Sequence, residues 1–361
     1  MSFLARGSRR GRRSVADVAV GALMTFQALA IVGAPSALAI SSCTFSGGAL
    51  SIGLSRGESI IFSQNASGVV LVNGANTTAA PCSATRATVT NTTAISVTGL
   101  TGDEDVTIQM DVAGAGTSIV SWGTINWPIT MASGNRDSVT FDGSDLTTDE
   151  LAIALGASGI DLNSDDNLDV IFAAVEDVFV DGGDGDDTIW AAGSAATGAA
   201  FTVNLTARGG DGDDTIASGA GDDALRGGLD GNLGDTVDFS GATAAVNVNL
   251  LRDVATGIGS DALADFENVV GSAFDDHITG NELSNTLNAR GGKDHVEGES
   301  GDDTIRGTGG EDTLRGGSGE DDLLGGAAND GLFGGGGTDF GNGGGGKDVC
   351  KGVEIKRSCE T

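Results

Sequence analysis

From Gly271 the chain repeats every nine residues: GSAFDDHIT, GNELSNTLN, ARGGKDHVE, GESGDDTIR, GTGGEDTLR, GGSGEDDLL, GGAANDGLF, GGGGTDFGN and GGGGKDVCK. Its sixth position reads Asp276, Asn285, Asp294, Asp303, Asp312, Asp321, Asp330, Asp339 and Asp348, a column of oxygen ligands at a fixed period. Its eighth reads Ile278, Leu287, Val296, Ile305, Leu314, Leu323, Leu332, Gly341 and Cys350, a column of side chains suited to packing. Carboxylates stacked one strand spacing apart, about 4.8 Å, repel one another unless a cation lies between them. A cation that takes carboxylate and carbonyl oxygens, on edges without thiolate or imidazole, is calcium rather than zinc. Magnesium prefers to keep its waters.

The glycines say which elements must hold these columns. They let the first part of each unit turn with positive φ and present its carbonyls, while the last three residues form a short strand with one inward side chain. Two units make one 18-residue coil. Stacked coils place Ile278, Val296, Leu314 and Leu332 in one apolar ladder and Leu287, Ile305 and Leu323 in the opposite one. The same stacking puts Asp276, Asp294, Asp312, Asp330 and Asp348 on one edge and Asn285, Asp303, Asp321 and Asp339 on the other.

The nonapeptide G-G-x-G-x-D-x-U-x resembles the RTX, or haemolysin-type, calcium-binding repeat, which winds into a parallel β-roll. That resemblance implies an all-β, right-handed parallel β-roll or β-solenoid with Ca2+ as its cofactor. It also implies an ion between the turns of successive coils, held by position-six Asp and turn carbonyls, with four gaps on one edge and three on the other.

An earlier block carries the motif in GGDGDDTIW, GGDGDDTIA and SGAGDDALR, which adds Asp187, Asp214 and Asp223 as candidate ligands. Gly182 and Gly209 lie three units apart, so the insert Ala191 to Arg208 is expected to fill one whole coil and keep the phase. The residues 18 before Asp214 and Asp223 are Ala196 and Leu205, so few complete sites are expected in this block, the best being Asp214 over Asn232. From Gly227 to Gly271 is 44 residues, which breaks the period. Within that step, Asp235 to Ser240 and Val246 to Leu250 read as ordinary strands.

Composition agrees with a thin repetitive core and a cationic counter-ion. The 361 residues include 61 Gly and 51 Asp+Glu against 19 Lys+Arg, and the formal net charge is -32. A surface so acidic repels nucleic acid and anionic lipid. It also opposes compaction, so folding is expected to wait for calcium.

Five Arg between Arg6 and Arg13, an apolar run from Val15 to Leu38 and the triplet Ala37-Leu38-Ala39 read as a secretory signal peptide over residues 1–39. No later stretch is long and apolar enough for a transmembrane helix. The remaining layout is an N-terminal β-region at 40–136, a connecting β-region at 137–181, a first repeat block at 182–234, intervening strands at 235–270, a second block at 271–351 and a C-terminal cap at 352–361. A short helix is expected at Leu146 to Leu155. Four cysteines allow three pairings, of which the local one, Cys43 with Cys82 and Cys350 with Cys359, closes the shorter loops and staples each end.

Little here suits catalysis. Gly53-Leu-Ser55-Arg-Gly57 matches a nucleophile pattern, but Glu58 to Phe62 reads as a strand where the elbow needs a helix. Asp161 to Asp169 alternates oxygens as an EF-hand loop does, without that loop's glycine and glutamate, and reads as a solvated turn. The two histidines, His277 and His295, both occupy position seven, 18 residues apart, and are expected to stack on the outer face. They read as solvated side chains, with a weak surface zinc or pH-sensitive pair as the alternative. Tyr is absent, and all four lysines lie in the last quarter. The expectation is a secreted, non-catalytic calcium-binding repeat protein, with a cell-surface or matrix ligand as the open partner. The alternative is an extracellular carbohydrate-active enzyme carrying the repeats.

Overall fold

The computed structural model describes residues 175–194 and 197–360 and, between Ser42 and Ala173, the strands with a few adjoining residues. The signal-peptide reading, Cys82, most of the EF-hand-like stretch and Ser55 lie outside the described residues.

Two sheets of sixteen described strands each run the length of the stack, every coil contributing to both. In the second block one sheet carries His277–Thr279, His295–Ser300, Thr313–Ser318, Gly331–Gly336 and Val349–Lys351. The other carries Thr286–Asn288, Thr304–Gly309, Asp322–Ala327, Phe340–Gly345 and Ile355–Arg357. The pairing within each sheet is parallel and in register, Ile278 over Val296, Leu314 and Leu332 on one side, Leu287 over Ile305 and Leu323 on the other. These seven side chains are fully buried. The core is therefore the pair of aliphatic ladders expected from position eight. From His295 onward most strands are six residues long and continue through the first glycines of the next unit.

At Gly341 the ladder loses its side chain, and Val353, buried under the C-terminal segment, fills the gap. Cys350 and Cys359 form a disulfide across that segment. Ile355–Arg357 then lies on Phe340–Gly345 as the last strand of its sheet, and its exposed Lys356 and Arg357 discourage further edge pairing.

The glycines of the turns are required by close approach as well as by φ. Gly310 has φ 127°, and a Cβ there would run into the carbonyl of Gly292 in the preceding coil. Ala328 occupies the same turn position at φ 79°. Gly310→Ala is expected to cost about 3 kcal/mol, whereas Ala328→Gly is expected to cost nothing or to stabilise by roughly 1 kcal/mol. Denaturant midpoints in saturating calcium measure both. Equal losses would contradict this account of the turns.

Three expectations are corrected. Residues 152–155 belong to the strand Ala152–Gly156, not to a helix; Ile153 and Leu155 alternate inward with period two, and Ile153 pairs with Ile189. The insert after Trp190 does not form a coil of its own. Thr188–Trp190 pairs directly with Thr215–Ala217, 27 residues on, so the extra residues lengthen one coil. The reason is that the chain turns back where Ser194 and Gly198 bridge antiparallel, and Phe201 beyond them is buried against the core.

The third correction concerns register below Asp214. The following strand, Thr236–Asp238, starts 21 residues after Thr215, three more than a regular coil. The added residues bulge outward and are held by Asp213, whose carboxylate accepts the backbone N–H groups of Asn232, Leu233 and Gly234. Those donors, with Gly231, outweigh the upward push of burial and hold the Asp213 carboxyl below its ordinary range. Asn232 is therefore exposed, and Asp235, fully buried, stands beneath Asp214.

The 44-residue step is absorbed in one sheet. There Ser260–Ala264, Val254–Thr256 and Asn247–Asn249 zigzag antiparallel between Ala224–Asp230 and His277–Thr279. In the other sheet Thr236–Asp238 stays parallel to Asn268–Val270. The solenoid thus continues through the break.

Candidate metal centre

Each position-six residue sits at the end of a turn, just before the strand whose next-but-one side chain enters the core. That placement buries the carboxylate at the sheet edge, and one oxygen has a fixed task. Asp294 Oδ1 accepts the backbone N–H of Asp276 at 2.8 Å, and the same bond links Asp312, Asp330 and Asp348 to the coil before, at 2.9, 2.9 and 3.0 Å. On the other edge Asp303, Asp321 and Asp339 accept from Asn285, Asp303 and Asp321 at 2.8, 3.0 and 3.1 Å. In the first block Asp214 accepts from Asp187 at 2.7 Å.

The second oxygen has no such task. In Asp214, Asp294, Asp303, Asp312, Asp321, Asp330, Asp339 and Asp348, Oδ2 is shielded from solvent and meets no hydrogen-bond donor of the protein. In seven of the eight turns it lies against the glycine that opens its own unit, where a Cβ would strike it, as at Gly298, Gly307 or Gly316. A buried carboxylate oxygen without a partner is costly. Burial, relieved in part by the backbone N–H and aggravated by neighbouring aspartates, pushes Asp294 up to about 7 and Asp303 and Asp330 up to about 6. Burial likewise raises Asp214 to about 6 and lifts Asp312 and Asp321.

The residues present fit a hard divalent cation. The orphaned oxygens are hard, negatively charged and repeated along both edges, and carbonyls of the following coil stand near them, Gly316 O and Asp303 Oδ2 both lying against Gly298, and Gly325 O and Asp312 Oδ2 against Gly307. Among the described residues no three His, Cys, Asp or Glu side chains converge on one point. A cation between coils would therefore complete its shell with carbonyls and water, as calcium tolerates and zinc does not.

Three candidate residues are arranged differently. Asp276 receives Ser272 N–H at 2.6 Å on Oδ2 and the Ser272 hydroxyl at 2.7 Å on Oδ1. Asn285 receives Asn281 N–H on its oxygen, and its amide donates to the Glu267 carbonyl. Asp223 receives Gly219 N–H at 2.9 Å and faces Asp261 across Ser218. The backbone follows the same division. At the second position of the turn Arg290, Glu299, Thr308, Gly317, Gly326, Gly335 and Gly344 are all left-handed, φ 74° to 119°, while Gly219, Ser272 and Asn281 are not.

The columns also contain residues that the nine-residue period missed. Asp235 follows Asp214 and donates its N–H to Glu267 at 2.9 Å; Asp261 follows Asp223 at 3.0 Å; Glu354 ends one edge, receiving Asp339 N–H at 2.9 Å. Asp261 had a readable signal, because Gly257-Ile-Gly259-Ser-Asp261-Ala-Leu263 is a hidden G-x-G-x-D-x-U. Asp187 keeps its place at the head of one column.

Elsewhere, His277 and His295 stack on the outer face with ring centroids 4.9 Å apart, as expected, and His295 Nε2 lies 3.1 Å from Glu297 Oε1. The strand Ala49–Gly53 is followed by the strand Ser59–Asn65, so the G-x-S-x-G stretch lacks the helix a nucleophile elbow needs. Among the described residues no helix is long and apolar enough to cross a membrane.

The family model of the RTX calcium-binding nonapeptide repeat, written for four copies, matches residues 165–195 and 206–233. It matches again in overlapping runs at 262–296, 270–305, 279–314, 297–332 and 315–350. A search of the curated proteins returns no match.

Proposed function

We propose that this is a secreted, non-catalytic protein whose repeats, matched by the RTX calcium-binding nonapeptide family at residues 165–195, 206–233 and 262–350, fold as they take up calcium outside the cell. The observation that carries this reading is the double row of buried aspartates with one oxygen hydrogen-bonded and the other unpartnered. Residues 1–39 act as the export signal and are removed. In an ion-poor cytoplasm the repulsion along both rows keeps the repeats open; outside, calcium bridges successive coils and ion binding becomes folding. The ligands are Asp294, Asp312, Asp330 and Asp348 on one edge, and Asp303, Asp321 and Asp339 on the other, with Asp214 in the first block. The N-terminal β-region serves as a spacer or an adhesive surface toward a cell-surface or matrix ligand.

The test is a far-ultraviolet circular dichroism titration of residues 40–361 with calcium, magnesium serving as control and residues 271–361 run in parallel. A cooperative gain of β-signal with calcium alone is expected. A spectrum already β-rich in chelator and indifferent to calcium would overturn the reading.

A further inference from the structure

We propose that Ser218 stands in for a cation: its hydroxyl closes the turn at Asp223 without an ion, and removing that hydroxyl opens the turn to calcium. The inference rests on the calcium reading of the unpartnered aspartates.

The turn concerned, Ser218-Gly-Ala-Gly-Asp-Asp223, has glycine at positions two and four and aspartate at six, as the unpartnered turns at Asp214 and Asp321 do. Among positions one, two, four and six, its first residue alone departs from them. Counting donors shows what the departure does. Asp223 Oδ1 accepts Leu205 N–H at 3.0 Å, and its Oδ2 accepts Gly219 N–H at 2.9 Å. Asp261 Oδ1 accepts Asp223 N–H at 3.0 Å, and its Oδ2 lies 3.0 Å from the Ser218 hydroxyl. Four carboxylate oxygens thus have four donors, and none is left over for a metal. That hydroxyl also stands 3.2 Å from Asp223 Oδ2, at the place between the two coils where a bridging ion would lie.

Ala289 supplies an internal control. It also puts a methyl-sized group at position one of its turn, but without a hydroxyl, and there the second residue, Arg290, is left-handed and Asp294 Oδ2 has no donor. The Cβ therefore does not close the turn; the hydroxyl does. Ser272 does the same work one position later at Asp276, although that turn also has Phe274 in place of the fourth-position glycine. The closed turns at Asp223 and Asp276 stand on either side of the break in the period.

The experiment counts bound calcium by native mass spectrometry on the mature full-length chain, for the natural sequence and for Ser218→Gly, Ser218→Ala and Ser218→Thr. The expected result is one additional ion for Ser218→Gly and for Ser218→Ala, and an unchanged count for Ser218→Thr, which keeps the hydroxyl. Calcium-saturated circular dichroism shows whether each variant is folded. An unchanged count in folded Ser218→Gly and Ser218→Ala overturns the proposal. So does a lower count, which would make Ser218 a ligand. If Ser218→Gly fails to fold, Ser218→Ala decides. A natural chain that binds no calcium would instead defeat the calcium reading itself.

Discussion

Replacing Asp303 and Asp321 together by Ala is expected to raise the calcium concentration at the folding midpoint by at least about ten-fold, while Asp103→Ala, in the N-terminal region before the repeats, leaves it essentially unchanged. At free calcium ten times a site's dissociation constant, each independent site contributes about 1.4 kcal/mol. The two substitutions strip both carboxylates from the middle of one edge and so affect the gaps on either side of each. They also remove the Oδ1 acceptors for the backbone N–H groups of Asn285 and Asp303, and each buried donor left unpaired costs about 1–3 kcal/mol. Asp321→Asn separates the two contributions, because the amide oxygen still accepts the Asp303 N–H while the charge is gone. A midpoint raised by Asp321→Asn assigns the loss to the ion. Equal effects of the double substitution and of Asp103→Ala in the circular dichroism titration would sink the aspartate ladder.

Without calcium, the chain is expected to gain β-structure as pH falls from about 7.5 to about 4.5, and with calcium to lose bound ions over the same range. Burial, only partly offset by a backbone N–H, raises Asp294 to about 7 and Asp214, Asp303 and Asp330 to about 6 from the ordinary 3.8. Between those values the ion-free folded chain holds protons that the unfolded chain has released. Its stability is therefore greatest below about pH 4 and is lost as pH rises through 6 to 7. Calcium needs the charged carboxylates and competes with those protons, so its affinity rises across the same window.

Acid also reduces the net charge of -32, which favours compaction everywhere. The triple substitution Asp294→Asn, Asp303→Asn and Asp330→Asn distinguishes the two causes. It imitates the protonated ladder while removing only three charges, and should flatten the pH profile measured in chelator. A profile in the triple variant as steep as in the natural chain would assign the effect to general charge. A natural chain equally folded in chelator at pH 4.5 and 7.5 would contradict the burial account.

The ladders of the second block were legible because a strict period leaves little freedom: an aliphatic residue every nine positions, glycine in the turns and parallel pairing fix which residues stack. Leu287, Ile305 and Leu323 could be placed on one face by counting alone. Counting failed where the coil length changed. Nothing in Gly227 to Asp235 announces that three added residues bulge out around the Asp213 carboxylate, so counting places Asn232 under Asp214 where Asp235 stands. At Ala152–Gly156 a strand replaces the helix read at Leu146 to Leu155, because Ile153 pairs with Ile189 and Leu155 with Ile160 and both are buried, and short apolar runs do not reveal their partners.

The amino-acid sequence by itself determines the all-β solenoid, the calcium-binding repeat motif and the column of each aspartate in the second block, since all three depend on residue type at a fixed spacing. The tertiary structure alone decides which carboxylate oxygens are left without a donor. Ser218 and Ser272 look like any other serines in the sequence; only the folded turn puts their hydroxyls against the carboxylates of Asp223 and Asp276 and leaves Asp303 and Asp312 each with a buried oxygen that meets no donor.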